Sequence, residues 1–576
     1  MNNNLIKKIR SDLEKNNLDG LFITNSDIHL NENTNLLLKP VFQIIKFDST
    51  FCYLIILKKN MALFTDKRYL LQAKKQFSKS NIRIYEYSYK NINLYLNNNF
   101  QYGSILGVDP KRISLNKFKE IKTNIFESSS TLLPINNTFF NLNKNLKPNF
   151  DKSLTFSLPK THTPRTLDKN INYIKSRIKT DAILIWDNAH IAYLLNIRSF
   201  ELDNSTKPFA GLLILKKGKH VIISDNPLIK KITKFNDNFL ISSYSNFLKK
   251  IKSLKIKKLE VDFDKINLDI FQSLRFLSID VFDSTVDLSN YISIKTQKEY
   301  KNINKAHFED GLAMTKFLLF FKNNNISSYD EYSLSLVLEN FRKERVNFFR
   351  NSFDYISAFD GNASKIHYKP LKTKSLKAKN CIIYLIDSGA HYLEGTTDVT
   401  RVIGLKNISI TIKNAYTNIL KSLIHIDLKS FNYPLPANKL DFQIRNKLIL
   451  NKITYGHGTG HGVGYFNDVH ERPPVISPLS HDYIKGNQFF SIEPGYYVDD
   501  KFGLRIENLY FSKLKNNKIV LENSTLVPYD LKMINVNLLK SKEIKFINNY
   551  HYKIYYLYED YLSDVEKKHF MSFFII

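Results

Sequence analysis

Acidic residues in the last third of the chain are spaced so that together they could bind metal ions. In CIIYLIDSGAHYLEGTTDVTRVIG, a strand-like run ends at Asp387, a Ser-Gly turn follows, and Asp398 comes 11 residues later on what should be the neighbouring strand. A β-hairpin can place two such carboxylates side by side. Taken alone, two aspartates near glycines are more often ordinary turn residues, so their interpretation depends on what accompanies them.

A cluster of glycines and histidines follows in GHGTGHGVGYFNDVH, which contains His457, His461 and His470. Only 18 glycines occur in the 576 residues, and five of them fall in this segment. Glycine lets the backbone turn sharply or approach a ligand closely. Three histidines beside such a segment are difficult to explain as buried core groups, which favours a role in binding or catalysis.

Two further strand-like runs, in FFSIEPGYYVDDKFGLRIENLYF, carry one glutamate each, Glu493 and Glu507. With Asp387 and Asp398 they supply four carboxylates, which would neutralise two divalent cations and allow the site to be buried. Oxygen ligands with one imidazole, from His461, favour a hard ion such as Mn²⁺ and leave Co²⁺ or Zn²⁺ open. Two such ions about 3.5 to 4 Å apart can lower the pKa of a shared water and polarise a carbonyl group.

The order and spacing of these residues resemble the creatinase and methionine aminopeptidase superfamily, whose catalytic domain has the pita-bread fold. The resemblance rests on DSGAHYLEGTTDVTR, HGTGHGVG, IEPGYY and GLRIEN. Within the superfamily, the chain is similar over nearly its whole length to the three-domain, cytosolic type of Xaa-Pro aminopeptidase. The segments DIHLNENTN to FTDKRYLLQA, DNAHIAYLLNIRS and ISAFDGNASKIHY resemble that family's first domain, its second domain and the approach to its catalytic core. This implies a dinuclear metal aminopeptidase that removes the first residue from peptides with proline in second position.

The resemblance also implies the roles of the metal ligands. Asp398 and Glu507 would bridge the two metal ions, and Asp387 would complete one metal site. His461 and Glu493 would complete the other.

Five side chains are implied to act on the substrate or on the ligands. His367, in SKIHYKP, matches a substrate-side histidine, and His457 and His470 match the pair that lines the scissile peptide. One of that pair, protonated, would stabilise the oxyanion, and Glu493 would carry a proton to the leaving nitrogen. Arg505 would orient the carboxylates and reduce their net charge.

Two positions depart from the family pattern. Arg472, in VHERPPVIS, stands where a glycine is common, and Ile492, in SIEPG, replaces a frequent asparagine. Neither is an expected metal ligand, so the departures bear on the shape of the pocket and on proton transfer rather than on the metal site.

Three other activities of the superfamily and one non-catalytic role are alternatives. Prolidase cuts only dipeptides and usually has one N-terminal domain, and methionine aminopeptidase needs little beyond the catalytic domain. Creatinase acts on a non-peptide substrate without depending on metal. A non-catalytic pita-bread module that binds histones or nucleic acid would suit the positive charge, but the complete ligand set argues against it. Metal analysis discriminates, because a two-metal enzyme binds about two equivalents.

The elements that must position these residues form three predicted domains. A strand and helix pattern that begins at Asp19 recurs from Asp181, which indicates a duplicated α/β domain. We predict a multidomain α/β and α+β protein with creatinase-like N-terminal domains over 1–155 and 156–294. A pita-bread α+β catalytic domain with a C-terminal helical extension would occupy 295–576. Apolar residues recur at helical spacing in KTQKEYKNINKAHFEDGLAMTKFLLFF, which predicts one long amphipathic helix after residue 294, and the aromatic-rich INNYHYKIYYLYEDYLSDVEKKHF predicts a helix or helix pair near the end of the chain.

Composition excludes several other classes. Hydrophobic residues make up 43% and charged residues 24%, which is typical of globular proteins. The net charge of +30 comes from lysines scattered along the whole chain, without a basic arm or nucleic-acid motif, so we predict no nucleic-acid partner. Cys52 and Cys381 lie in apolar runs, and no apolar window suits a signal peptide or membrane span. We expect a cytoplasmic protein, and the resemblance implies a homodimer.

Overall fold

The computed structural model describes residues 2–135, 154–233 and 237–576, and the chain divides into two compact units. The units are Met1–Leu288 and Ser289–Ile576. The predicted domain boundaries at residues 155 and 294 stay predictions.

Most strands of the first unit are buried, whereas those at the sheet edges are partly exposed. Its strands are β1 Gly20–Thr24, β2 Cys52–Leu57, β3 Met61–Thr65, β4 Ile82–Glu86, β5 Ile105–Val108, β6 Thr131–Pro134, β7 Thr155–Ser157, β8 Ala182–Ile185, β9 Ile197–Ser199, β10 Gly211–Leu215, β11 His220–Ile223, β12 Phe239–Ser242, β13 Lys258–Val261 and β14 Asp280–Asp283. Its helices are α1 Asn3–Lys15, α2 Pro40–Ile45, α3 Lys67–Gln76, α4 Tyr89–Asn97, α5 Leu115–Ile125, α6 Leu167–Lys175, α7 Asn188–Leu195, α8 Pro227–Thr233, α9 Phe247–Ser253 and α10 Leu268–Phe276.

Two mixed sheets of this unit have the same topology. One has the strand order β4-β3-β2-β1-β5-β6, and the other has β12-β11-β10-β8-β13-β14. Read in that order, both sheets pair parallel, antiparallel, antiparallel, parallel and parallel. The predicted duplicated α/β arrangement is therefore confirmed.

The second unit combines short antiparallel sheets with longer helices. Its strands are β15 Phe348–Asn351, β16 Ile356–Phe359, β17 Ile383–Ser388, β18 Ala390–Tyr392, β19 Gly395–Thr396, β20 Val399–Gly404, β21 Ser430–Asn432, β22 Leu435–Pro436, β23 Gly460–Gly462, β24 Glu471–Ile476, β25 Tyr483–Ile484, β26 Phe489–Ile492, β27 Gly495–Val498, β28 Phe502–Arg505, β29 Asn508–Lys515 and β30 Lys518–Asn523. Its helices, the first of which begins one residue earlier, are α11 Leu288–Ser293, α12 Gln297–Asn323, α13 Glu331–Lys343, α14 Ile410–Asp427, α15 Ala437–Ile449, α16 Ser541–Tyr558 and α17 Asp564–Phe574.

Sequence patterns predicted the helices at both ends of this unit. The long helix expected after residue 294 is α12, and a capping box between Thr296 and Glu299 fixes its start. The aromatic-rich segment near the end of the chain forms α16 and α17, with Tyr550 and Tyr558 buried against the core of the unit. No helix within the described ranges is long and apolar enough to span a membrane.

The strands that carry the predicted ligands lie in two sheets that share one core. The first has the order β16-β17-β20, and the second has β21-β30-β29-β26-β23-β24. Apolar side chains from both sheets belong to a single buried cluster with α12 and α14. The ends of these strands are therefore held rigidly relative to one another.

Candidate metal centre

Asp387 and Asp398 lie on the two antiparallel strands that the sequence predicted. Strands β17 and β20 pair so that Asp387 is opposite Thr400, and Asp398 immediately precedes β20. Gly389 allows the turn between them, because a side chain at this position would meet the carbonyl of Thr397. The two aspartates are only 6% and 5% exposed.

His461 projects from the short strand β23, and its backbone fixes the tautomer. The ring Nδ1 lies 3.0 Å from the carbonyl oxygen of Gly462, to which it donates, and the backbone N–H of His461 donates to Ser491 Oγ at 3.1 Å. A histidine that donates from Nδ1 presents an unprotonated Nε2 to a ligand. Gly460 permits this packing, because a side chain there would meet the carbonyl of Ser491 on β26.

Ligand atoms of three predicted residues converge on one point. Atoms of Asp398, His461 and Glu507 all lie within 4.8 Å of one another. His461 Nε2 is 3.6 Å from Asp398 Oδ2 and 3.7 Å from Glu493 Oε1. Residues more than 100 positions apart in the sequence thus form one cluster.

Asp387 adds another carboxylate to the cluster, and its two oxygen atoms have different surroundings. Its Oδ2 accepts a hydrogen bond of 2.6 Å from Arg505. Its Oδ1 is buried and has no hydrogen-bond partner among the described residues. A buried carboxylate oxygen without a donor is costly, and a cation at this place would satisfy it.

The electrostatics of the cluster also favour bound cations. Burial, and then the charges of Glu507, Asp387 and Glu493, raise the pKa of Asp398 well above its ordinary value. Burial and the charges of Glu493 and Asp387 likewise raise the pKa of Glu507. Carboxylates crowded in this way can all be ionised at neutral pH only if cations bind among them. The donor set therefore fits two divalent ions.

Thr400 and Tyr497 belong to the same hydrogen-bond network, and the sequence did not reveal them. Arg505 donates to Tyr497 Oη at 2.6 Å and to Thr400 Oγ1 at 3.2 Å. Thr400 in turn donates to Glu507 Oε2 at 2.8 Å. Arg505 thus contacts one carboxylate directly and another through a hydroxyl, which agrees with the predicted orienting role.

The predicted catalytic histidines surround this network. His457 Nε2 lies 2.9 Å from Tyr497 Oη, and the ring centroids of His470 and His461 are 4.3 Å apart. His367 follows Ile366, whose carbonyl oxygen is 3.4 Å from an Arg505 nitrogen. The structure therefore brings all three histidines to the surroundings of the cluster, and their roles stay predictions.

The two departures from the family pattern have different environments. Arg472 is exposed on β24, whereas Ile492 is fully buried on β26, where it pairs with Asn508. Ile492 belongs to the apolar core of the unit. Neither side chain takes a place in the carboxylate cluster.

Known family models match part of the first unit and most of the second. Residues 301–512 match the model of metallopeptidase family M24, and residues 519–572 match the C-terminal region of that peptidase family. Residues 6–141 match the creatinase/prolidase N-terminal domain. The second unit is an M24 metallopeptidase domain. The predicted superfamily and the predicted pita-bread catalytic fold are confirmed.

Several M24 relatives resemble this chain over nearly its whole length. Xaa-Pro aminopeptidase 1 of Dictyostelium discoideum is 28% identical over 583 residues, which cover 95% of this chain and 92% of the relative. The Xaa-Pro aminopeptidase ApepP of Drosophila melanogaster is 28% identical over 540 residues, which cover 88% and 87%. This M24 chain also has the fold of the X-prolyl aminopeptidase of Caenorhabditis elegans, a cytosolic enzyme with a di-nuclear active site. That match has a TM-score of 0.89 at 23% identity and covers 99% of this chain and 98% of the other.

Proposed function

We propose that this M24 peptidase is a two-metal Xaa-Pro aminopeptidase, which releases the first residue from peptides with proline in second position. The observation that carries the proposal is the buried cluster of Asp398, His461 and Glu507, whose ligand atoms lie within 4.8 Å of one another. The names of relatives that align along nearly the whole chain support the substrate class.

We assign the ligands as the resemblance implied. Asp398 and Glu507 would help to hold both ions, Asp387 would complete the site of one, and His461 with Glu493 would complete the site of the other. Two divalent ions bound there supply an activated water and polarise the carbonyl group of the scissile bond. The predominance of carboxylate oxygens favours Mn²⁺, with Co²⁺ and Zn²⁺ as alternatives.

The side chains around the ions position the substrate and move protons. Glu493 lies beside His461 and transfers a proton to the proline nitrogen as the bond breaks. His470, in contact with the His461 ring, donates a hydrogen bond to the developing oxyanion. His457 is held by Tyr497 and, with His367, contacts the peptide on either side of the scissile bond.

Specificity for proline follows from the chemistry of the substrate. The nitrogen of proline carries no hydrogen, and its ring fixes φ. A general peptidase that binds the amide hydrogen at this position therefore loses a contact. A pocket shaped for the ring gains one instead.

The test combines metal analysis with a matched pair of peptides. Stripped protein is reconstituted with Mn²⁺, Co²⁺ or Zn²⁺, and release of arginine is followed from Arg-Pro-Pro and from Arg-Ala-Pro. We expect about two bound ions per chain, as a dinuclear site requires, and hydrolysis of Arg-Pro-Pro only. Absence of hydrolysis with every metal, or equal cleavage of both peptides, would overturn the proposal.

Substrate length separates this activity from prolidase. An Xaa-Pro aminopeptidase cleaves Arg-Pro-Pro and longer peptides, whereas a prolidase is confined to dipeptides such as Arg-Pro. We further propose that the enzyme acts in the cytoplasm, as the Caenorhabditis elegans relative does, and that it is a homodimer. Light scattering of the purified protein tests the dimer independently of the chemistry.

A further inference from the structure

A second cavity in the catalytic unit is lined by lysines. It has a volume of about 190 Å³, several times the space that one water molecule needs. Its lysines are Lys322, Lys379, Lys406 and Lys532. Strand β20 begins directly after Asp398 and ends at Gly404, on the wall of this cavity. At about 3.3 Å per residue, the cavity lies about 20 Å from the carboxylate cluster along the strand.

One of these lysines is neutralised within the chain. Lys322 forms an ion pair of 2.9 Å with Asp530, and both side chains are buried. Asp530 also accepts a hydrogen bond of 2.8 Å from the backbone of Gly404. This pair belongs to the wall of the cavity and is not available to a ligand.

The other three lysines have no such partner. None of the ion pairs within the described ranges involves Lys379, Lys406 or Lys532. Lys406 Nζ donates to the carbonyl of Lys379 at 2.5 Å, and Lys532 Nζ donates to the carbonyl of Leu405 at 3.3 Å. Neutral carbonyls hold these ammonium groups at the rim without cancelling their charge. The charged ammonium groups of Lys406 and Lys532 beside one cavity favour an anion.

One part of the cavity lining, called the floor below, consists of apolar side chains. Phe321 and Ile403 are buried there, and Ile326 and Leu405 are partly buried. An inorganic anion would leave this surface unused. A ligand with an anionic group and a small apolar group would contact the lysines and the floor together.

From this arrangement we infer that the cavity binds a small phosphate monoester with an apolar substituent. Phosphate oxygens accept charge-assisted hydrogen bonds from lysine ammonium groups, and burial of an apolar group adds affinity in proportion to its area. The site is separate from the proposed peptidase centre and does not depend on that proposal. It also gives a local role to part of the net charge of +30, which the peptidase reaction does not use.

The test compares two phosphate probes, at a pH where both are dianions, on three forms of the full-length, metal-loaded protein. Orthophosphate and phenyl phosphate are titrated by calorimetry at constant ionic strength into the wild type and into a variant with Lys406→Glu and Lys532→Glu. The control variant carries Lys439→Glu and Lys447→Glu, two exposed lysines of α15 outside the cavity, and has the same net charge. Thermal unfolding checks that all three proteins are folded.

We expect phenyl phosphate to bind the wild type and the control alike and the cavity variant at least about tenfold more weakly, since two charge-assisted contacts are lost. Phenyl phosphate should also bind the wild type several-fold more tightly than orthophosphate, because only its ring reaches the apolar floor. Equal binding by all three proteins would assign the affinity to the overall charge and overturn the inference, as would absence of binding to the wild type. Equal affinity for the two probes would overturn the apolar part. Any phosphate bound at the metal centre is common to the three proteins and cancels in the comparison between proteins. The two probes are therefore compared by the binding that the cavity variant loses.

Discussion

Two buried groups of charged side chains in the catalytic unit are balanced in opposite ways. On α12 and α13, Asp310 and Arg342 form an ion pair of 2.8 Å with side chains only 4% and 0% exposed. Tyr392 donates a further hydrogen bond of 3.1 Å to the same carboxylate. The charge of this aspartate is therefore compensated inside the chain.

The carboxylate cluster lacks that balance. Four carboxylates share the guanidinium of Arg505, and burial together with mutual repulsion raises the pKa of Asp398 and Glu507. The Asp310 pair is organised for the fold, whereas the cluster is organised for cations that the chain does not itself supply. Carboxylates that are equally buried should therefore differ on mutation: removing the charge should stabilise the metal-free protein at the cluster and destabilise it at the ion pair.

Asp398→Asn should produce the largest effect. Loss of a bridging ligand should lower kcat/KM for Arg-Pro-Pro by about 10⁴-fold or more, because the metal ions contribute several kcal/mol to catalysis. The metal-free variant should nevertheless unfold at a higher temperature than the metal-free wild type, since one repelling carboxylate is gone. Retention of full activity would remove Asp398 from the ligand set.

Asp310→Asn is the matched change in the compensated pair. It leaves the buried Arg342 without a counter-charge and should lower the free energy of unfolding by about 3 to 5 kcal/mol. Urea denaturation of both asparagine variants, without metal, measures the comparison directly. A gain in stability from Asp310→Asn, or an equal loss from Asp398→Asn, would show that the two sites do not differ in the way proposed here.

The pH dependence of the metal-free protein sharpens the same contrast. The pKa values of Asp398 and Glu507 are higher in the folded protein than in the unfolded chain, so the native protein binds extra protons as the pH falls. The amount by which these two carboxylates lower the free energy of unfolding is therefore smaller at lower pH. Each group contributes up to about 1.4 kcal/mol per pH unit between its ordinary and its raised pKa. The stability advantage of Asp398→Asn over the wild type should therefore shrink from pH 8 to pH 5.5.

Thermal unfolding in a chelator, at several pH values, measures this difference, and other titrating groups cancel between the two proteins. With metal bound, the wild type should instead be more stable than Asp398→Asn. The cations stabilise the ionised carboxylates of the wild type, and stability should then fall as protons displace the metal. An advantage of Asp398→Asn that stays constant with pH would contradict the raised pKa.

The residues of the carboxylate cluster could be predicted from the sequence because each of them lies in a short, recognisable sequence pattern. Aspartate at a strand end, glycine beside histidine and glutamate before Pro-Gly each stand out within a few residues. The hairpin expected for Asp387 and Asp398 is present as the antiparallel pair β17 and β20. Periodicity likewise predicted α12 and the C-terminal helices, and the repeated pattern predicted a duplicated α/β domain, which the two sheets of equal topology confirm.

The sequence did not reveal contacts that depend on distant residues. Thr400 and Tyr497 are ordinary strand residues by pattern. The packing of β20 against β28 brings Thr400 to Arg505, and the pairing of β27 with β28 brings Tyr497 there. The lysine cavity has the same origin, because its lining comes from segments around residues 322, 379, 406 and 532. Among 84 basic residues, no local pattern distinguishes these lysines from the rest.

Thr400→Val tests the smallest effect, the support that one hydroxyl gives to the cluster. The change removes the hydrogen bond to Glu507 Oε2 and an acceptor for Arg505 with little change in volume. Metal affinity should fall by about 10- to 100-fold, as it does when indirect partners of metal ligands are lost. Thr417→Val is the control, because Thr417 is equally buried but bonds to Lys413 and Asn535, outside the cluster. Metal titration followed by activity on Arg-Pro-Pro should separate the two variants, and equal affinity in both would show that Thr400 serves the fold alone.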